Sequence, residues 1–330
     1  MPRLVLLALI VLGSCGRRSD DATAPAGSST PTATAPKEEP KAPPKEAAPP
    51  EAPRPALPAE VPSFITPEVV GLTRATGEWN PVLANLLMLL PGSGAEKCVG
   101  TLLDKLRAAY SLDLGANQGG YYLFEGAPPR DEVEACATTW LGDMLGLHIG
   151  HEGELAVFRM ESGATYAAWR GPIAIVGSKE QVTHALQAGT RELADTWRTR
   201  LSQLPAAPMA QWSTDALLKD LSGAPTTSYI VAIDRIEQVQ PMPRWTGRVL
   251  AQYATAAEAA AAAKRIQQSQ PKDADPAYPT VPRAFKGKKV TQRGTTVEIA
   301  FTLEMPQRFT FGVLDGFLHT LAEARPPGGR

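Results

Sequence analysis

From Gly16 to Pro62 the chain has almost nothing from which to build a core. Twelve of these 47 residues are Pro, no aromatic residue occurs, and Leu57 and Val61 are the only large aliphatics. Such a stretch cannot bury enough apolar surface to offset the entropy of ordering it. Its Pro density, as in PKEEPKAPPKEAAPPEAPRPALP, favours polyproline II. Fully extended it reaches on the order of 140 Å; as a flexible coil its ends average about 40 Å apart. Composition fits a spacer and a merely soluble linker equally well. Any packed body must therefore come from Ser63 to Arg330, 268 residues. At roughly 150 residues per domain that is room for two.

The residues ahead of this tether form an address. Arg3 supplies a positive charge, and Leu4 to Leu12 are nine consecutive apolar residues. A membrane-spanning helix needs roughly 20, whereas a signal-peptide core needs about 7–15. Leu12-Gly13-Ser14-Cys15 then resembles the bacterial lipobox, with an aliphatic residue, two small residues and the Cys that receives lipid. The resemblance covers only residues 1–15. It implies cleavage before Cys15, a diacylglyceryl thioether on its sulfur and usually a third acyl chain on its amine. Two or more chains anchor stably where one binds only marginally. The competing reading is an ordinary secretory signal with an incidental Cys. Gly16 follows, not the Asp that retains some lipoproteins at the inner membrane. The expected location is thus the cell envelope, lipid-anchored, and the outer membrane in a Gram-negative cell.

Charge excludes one class of partner. Thirty-three Lys and Arg stand against 34 Asp and Glu, so the basic excess that marks a nucleic-acid-binding face is missing.

Apolar periodicity resumes in the body. Asn80-Pro81 opens PVLANLLMLL, a short helix apolar nearly all round, which reads as core filler, or alternatively as a lid or docking helix. Ser93-Gly94-Ala95-Glu96 is a capping box for a helix carrying Cys98, Leu102 and Leu106. YSLDLG and YYLFEG read as a hairpin. A helix follows Pro128-Pro129, then the strands ELAVFRM, TYAAWR and IAIVG, and Ser178-Lys179-Glu180-Gln181 caps the next helix. In the second half SYIVAID and GRVLAQYA are strands, and Thr255-Ala256-Ala257-Glu258 caps an Ala-rich helix. GKKVTQRGTTVEIAFTLE turns at Arg293-Gly294, and RFTFGVLDGFLHTLAEA reads as a final helix. Residues 110–188 and 226–324 thus share the order strand-strand-helix-strand-strand-helix. The expectation is an α+β fold of two such modules, with antiparallel sheet or sheets and helices mainly on one face. The boundaries are 1–14 signal peptide, 15–62 lipidated Cys and tether, 63–205 first module and 206–330 second module.

Few residues suggest chemistry. Cys98 and Cys136 fall on apolar faces of neighbouring helices, flanked by small residues. Helices that approach closely can bring Cα atoms within the roughly 4.4–6.8 Å that a disulfide spans, and an exported compartment is oxidising. The alternative is two separate buried thiols. His148 and His151 are weak metal candidates, with a third ligand available from Asp143, Glu152 or Glu154. Gly146 and Gly150 break any helix there, and i,i+3 in a strand points to opposite faces, so a polar turn is the simpler reading. His184 and His319 each stand alone. Ser269-Gln270-Pro271-Lys272 matches SxxK, but Pro271 breaks the turn that would aim the Lys, and no GxSxG or GxxxxGK occurs.

These observations point to a non-enzymatic, membrane-tethered envelope protein acting as a binding or scaffold module, without cofactor or metal. Its partners would be the membrane through its anchor, and another envelope protein or the cell wall. The alternatives are a carrier of an apolar ligand between sheet and helices, and an enzyme whose site carries no recognisable motif.

Overall fold

The structure is a computed structural model that describes residues 60–76, 104–115, 119–145, 147–160, 163–214, 226–237, 239, 244–269 and 287–304. The expected helices at 81–90 and 308–324, most of the one from Ser93, and residues 1–59 lie outside the described residues.

One antiparallel open sheet of twelve strands organises the body. In chain order the strands are β1 (Gly71–Thr76), β2 (Ala108–Asp113), β3 (Gly120–Glu125), β4 (His148–Glu152), β5 (Leu155–Met160) and β6 (Gly163–Arg170). They continue with β7 (Ile173–Gly177), β8 (Met209–Ser213), β9 (Ser228–Glu237), β10 (Arg244–Gln252), β11 (Lys289–Arg293) and β12 (Thr296–Glu304). Across the sheet they run β11-β12-β10-β9-β8-β1-β2-β3-β7-β6-β5-β4. Four described helices accompany it: α1 (Arg130–Leu145), α2 (Lys179–Gln187), α3 (Arg191–Gln203) and α4 (Ala256–Gln268). A 3-10 turn, Val61–Phe64, opens the body.

The α+β expectation holds, and both modules share the one sheet. The seam is β1, which pairs with β2 on one side and with β8 on the other. Two local expectations are corrected. The first half has seven strands around α1 and β8 besides, not a repeat of the second half's order. Its extra strands are β1, the polar β4, and β8, which lies in a Pro- and Ala-rich stretch. The helices are also not mainly on one face. Along β7, Ala174 and Val176 enter the core covered by α1, while Ile173 and Ile175 enter the core beneath α2 and α3. All five β7 residues are buried, as a strand covered on both faces requires.

Three cores result. Cys136 and Ala137 of α1 pack on Phe124, Ala156, Phe158 and Ala174. On the opposite face Val182 and Ala185 of α2 and Trp197 of α3 meet Leu112, Leu123, Ile175 and Trp212. Ala259, Ala262 and Ile266 of α4 cover Val231, Val249, Ile299 and Phe301. Cross-strand register through Met209, Ala75 and Ile233 places α4 on the same face as α1.

The local chemistry of the helix starts follows the sequence. Ser178 accepts from the Gln181 amide while Gln181 returns a bond to the Ser178 amide, and Thr255 and Glu258 do the same for α4. Gly294 takes the left-handed conformation (φ 58°) that the β11–β12 turn needs.

Candidate functional site

The most elaborated feature is the point where the tether enters the body. Val61, Phe64, Ile65 and Val69 are buried in the same core as Trp197 and Trp212. At roughly 1.5–3 kcal/mol for each fully buried side chain, the four hold the segment by several kcal/mol. Pro62 is buried as well, so among the described residues Val61 and Pro62 already pack in the body.

Hydrogen bonds lock the same segment. The Tyr121 hydroxyl donates to the Phe64 carbonyl at 2.8 Å and accepts from the Thr66 amide at 2.9 Å. Both contacts are buried and link the entry to mid-sheet β3. Burial pushes the Tyr121 phenol up to about 12. Arg198 on α3 closes the outer side by pairing with Glu60 and Asp195. The entry is thus clamped from below by β3 and from the side by α3.

Beside it, the Arg200 guanidinium lies 4.6 Å from the Trp197 ring centre and 4.8 Å from that of Trp212. The two indoles meet edge to face at 5.4 Å. Arg74, on the same face of the sheet, donates to the Pro205 carbonyl. Tyr110 donates to Glu125 at 3.1 Å, and burial with that carboxylate neighbour pushes its ionisation far above the ordinary range.

The sequence's own candidates are dispersed. Cys15 and Cys98 lie outside the described residues. Cys136 is buried on α1 against the sheet and is a disulfide cysteine rather than a free thiol. His148 and His151 sit on β4, an edge strand and not a turn, and register sends them to opposite faces. His151 Nε2 is 3.0 Å from Glu134 of α1, which also holds Arg130 at 2.6 Å. Among the described residues no three His, Cys, Asp or Glu converge as a metal site. Glu152 instead pairs with Arg159 at 2.7 Å and Lys179 at 2.8 Å, and Glu154 with Arg170 at 2.8 Å. His184 Nε2 lies 4.0 Å from Glu68.

Ser269 ends α4: its hydroxyl donates to the Ile266 carbonyl at 2.6 Å, and its own carbonyl accepts from Lys288 at 3.1 Å. Lys288 is buried, and burial lowers its pKa. His319 and PVLANLLMLL lie outside the described residues.

Sequence reasoning missed Tyr121, Glu60, Arg198 and Arg200. Only Tyr121 left a trace: it alternates with Leu123 on one face of YYLFE, which marks it as inward-facing without revealing that its hydroxyl holds a segment about 55 residues away.

Fold and site together define a class: an α+β protein of one open antiparallel sheet, entered through a clamped N-terminal segment. Among solved structures the chain is similar to TP0453. Against its crystal form I the identity is 8% and the TM-score 0.44, covering 76% of this chain and 94% of that one. Against its crystal form III the identity is 8% and the TM-score 0.46, covering 77% and 97%. No family model and no curated protein matches the chain.

Proposed function

We propose that this chain is a non-enzymatic, lipid-anchored envelope protein whose sheet is a binding or scaffold module held at a distance from the membrane. The observation that carries the reading is the clamped entry. A free leader needs no such junction, whereas a tether that bears load between a lipid anchor and a folded body does. Leu12-Gly13-Ser14-Cys15 supplies the anchor, on Cys15, and the Pro-rich segment supplies the spacing. No described helix is long and apolar enough to cross a membrane. The proposed location is the cell envelope, and the outer membrane if the cell is Gram-negative; the partner is a protein or polymer of the envelope.

Radiolabelled fatty acid and membrane fractionation test the anchor. Acyl label enters the wild type, and Cys15→Ser loses the label and leaves the membrane fraction after export. Equal membrane retention of the Ser variant, with no label in the wild type, overturns the reading.

A further inference from the structure

The two ends of the open sheet differ in one respect. Among the described residues no strand pairs with the outer edge of β4 or of β11. Such edges present unpaired backbone groups and are templates for another strand. Which partner fits is decided by the residues that would face each other.

On β4 the two-residue turn Gly153-Glu154 is closed by the flanking pair Glu152↔Leu155. Residues flanking such a turn exchange hydrogen bonds, and in an antiparallel ladder bonded and non-bonded pairs alternate. Glu152, Gly150 and His148 therefore direct their amides and carbonyls toward β5. Ile149 and His151 direct theirs outward.

Two such edges related by a two-fold axis pair antiparallel about Gly150. Ile149 of one copy then bonds His151 of the other, twice over. Gly150 faces Gly150 as a non-bonded pair, where backbones come closest and side chains crowd most. His148 faces Glu152 of the second copy, again twice. Both His148 and His151 are exposed. Glu152 already accepts from Arg159 and Lys179, but a carboxylate has about four lone-pair sites and keeps room for an imidazole donor.

The same operation on β11 centres on Thr291 and sets Lys289 against Arg293, a like-charge pair that opposes association. A β4–β11 contact, antiparallel and matched end to end, makes one favourable pair, Glu152 with Lys289, and one unfavourable, His148 with Arg293.

We propose that the β4 edge is a self-association surface, through which two copies join their sheets about a two-fold axis at Gly150. The geometry stands without the lipid anchor. Confinement on one membrane surface only raises the effective concentration of a weak contact.

Cysteine crosslinking of the full chain tests it. Facing non-bonded residues have Cα atoms about 4.5 Å apart, within the roughly 4.4–6.8 Å a disulfide accepts. Copies of residue 148 lie four residues out of register, roughly 13 Å apart. Under mild oxidation Gly150→Cys is expected to give a covalent dimer at least tenfold faster than His148→Cys. Equal rates overturn the proposal. A Cβ at 150 meets only the end of the Arg159 side chain, at 3.3 Å, so the strand tolerates it.

Sedimentation of the unaltered chain gives a second reading. A monomer–dimer equilibrium is expected, weakened at least tenfold by Glu152→Lys and restored when His148→Glu is added. A ladder of higher oligomers, a strict monomer at all concentrations, or failure of the charge swap to restore pairing overturns it.

Discussion

Tyr121→Phe removes one oxygen and leaves the ring in place. That oxygen serves two buried backbone groups, the Phe64 carbonyl at 2.8 Å and the Thr66 amide at 2.9 Å. Tyr121 itself is 1% exposed, so water does not replace the lost partner. Each buried backbone group left unpaired costs about 1–3 kcal/mol, which gives a loss of about 2–6 kcal/mol for the two. Chemical denaturation measures the total, and native-state amide exchange locates it. The Thr66 amide exchanges faster while the β3–β7 amides keep their relative order.

The wild type carries a linked signature at high pH. The folded phenol ionises near 12, from an unperturbed 10.0. The folded pKa is raised, so the contribution is complete below about pH 10 and is lost as pH climbs toward 12. The slope approaches about 1.4 kcal/mol per pH unit in that window. Tyr121→Phe shallows the decline without abolishing it, because Tyr110 is shifted in the same direction. A loss below about 1 kcal/mol, or an unchanged alkaline slope, refutes the claim that this hydroxyl locks the entry.

Three further outcomes are expected. Gly247→Ala places a Cβ 2.5 Å from the Ala232 carbonyl oxygen and 2.8 Å from the Phe301 ring at a β-bulge, and lowers stability by about 2–3 kcal/mol in urea titration. If Cys98 pairs with Cys136 and Cys15 carries lipid, as proposed from the sequence, thiol labelling of the unfolded, unreduced chain finds no free thiol. Reduction then costs roughly 2–4 kcal/mol, and two labels per chain would rule the pairing out. Trypsin removes the tether by cutting after Lys41 and Lys45 but spares Arg74 within β1, as mass spectrometry of the fragment's N-terminus reports.

The parts legible in the sequence are those whose cause is local. The capping boxes at Ser178 and Thr255 and the Arg293-Gly294 turn act within four residues, and each stands where expected. What was hidden depends on partners far along the chain. Met209–Ser213 is not among the strands expected from the sequence, because it is short and follows Pro and Ala at the module boundary. It is a strand because β1 and β9 flank it. His148–Glu152 is too polar for a buried strand, which is natural at an edge that meets water. IAIVG did carry the sign of two-sided burial, a continuous apolar run, but which helix lay on which face did not follow from it. The clamp was invisible for the same reason: Tyr121, Glu60 and Arg198 act on segments 55 to 138 residues apart.

The position of β1 sets the order of events in folding. Leu72 faces Leu112 on one side and Trp212 on the other, so the strand's second neighbour is made about 140 residues later. A chain that crosses a membrane N-terminus first delivers β1 early and β8 late. Until β8 arrives, β1 is an open edge in mid-sheet, bearing the unpaired backbone that invites aggregation. Contacts this distant in sequence also slow the search for the native state. The first 205 residues alone therefore lack the strand that closes the seam, and in an exported chain the sheet would be completed only after most of the body has crossed.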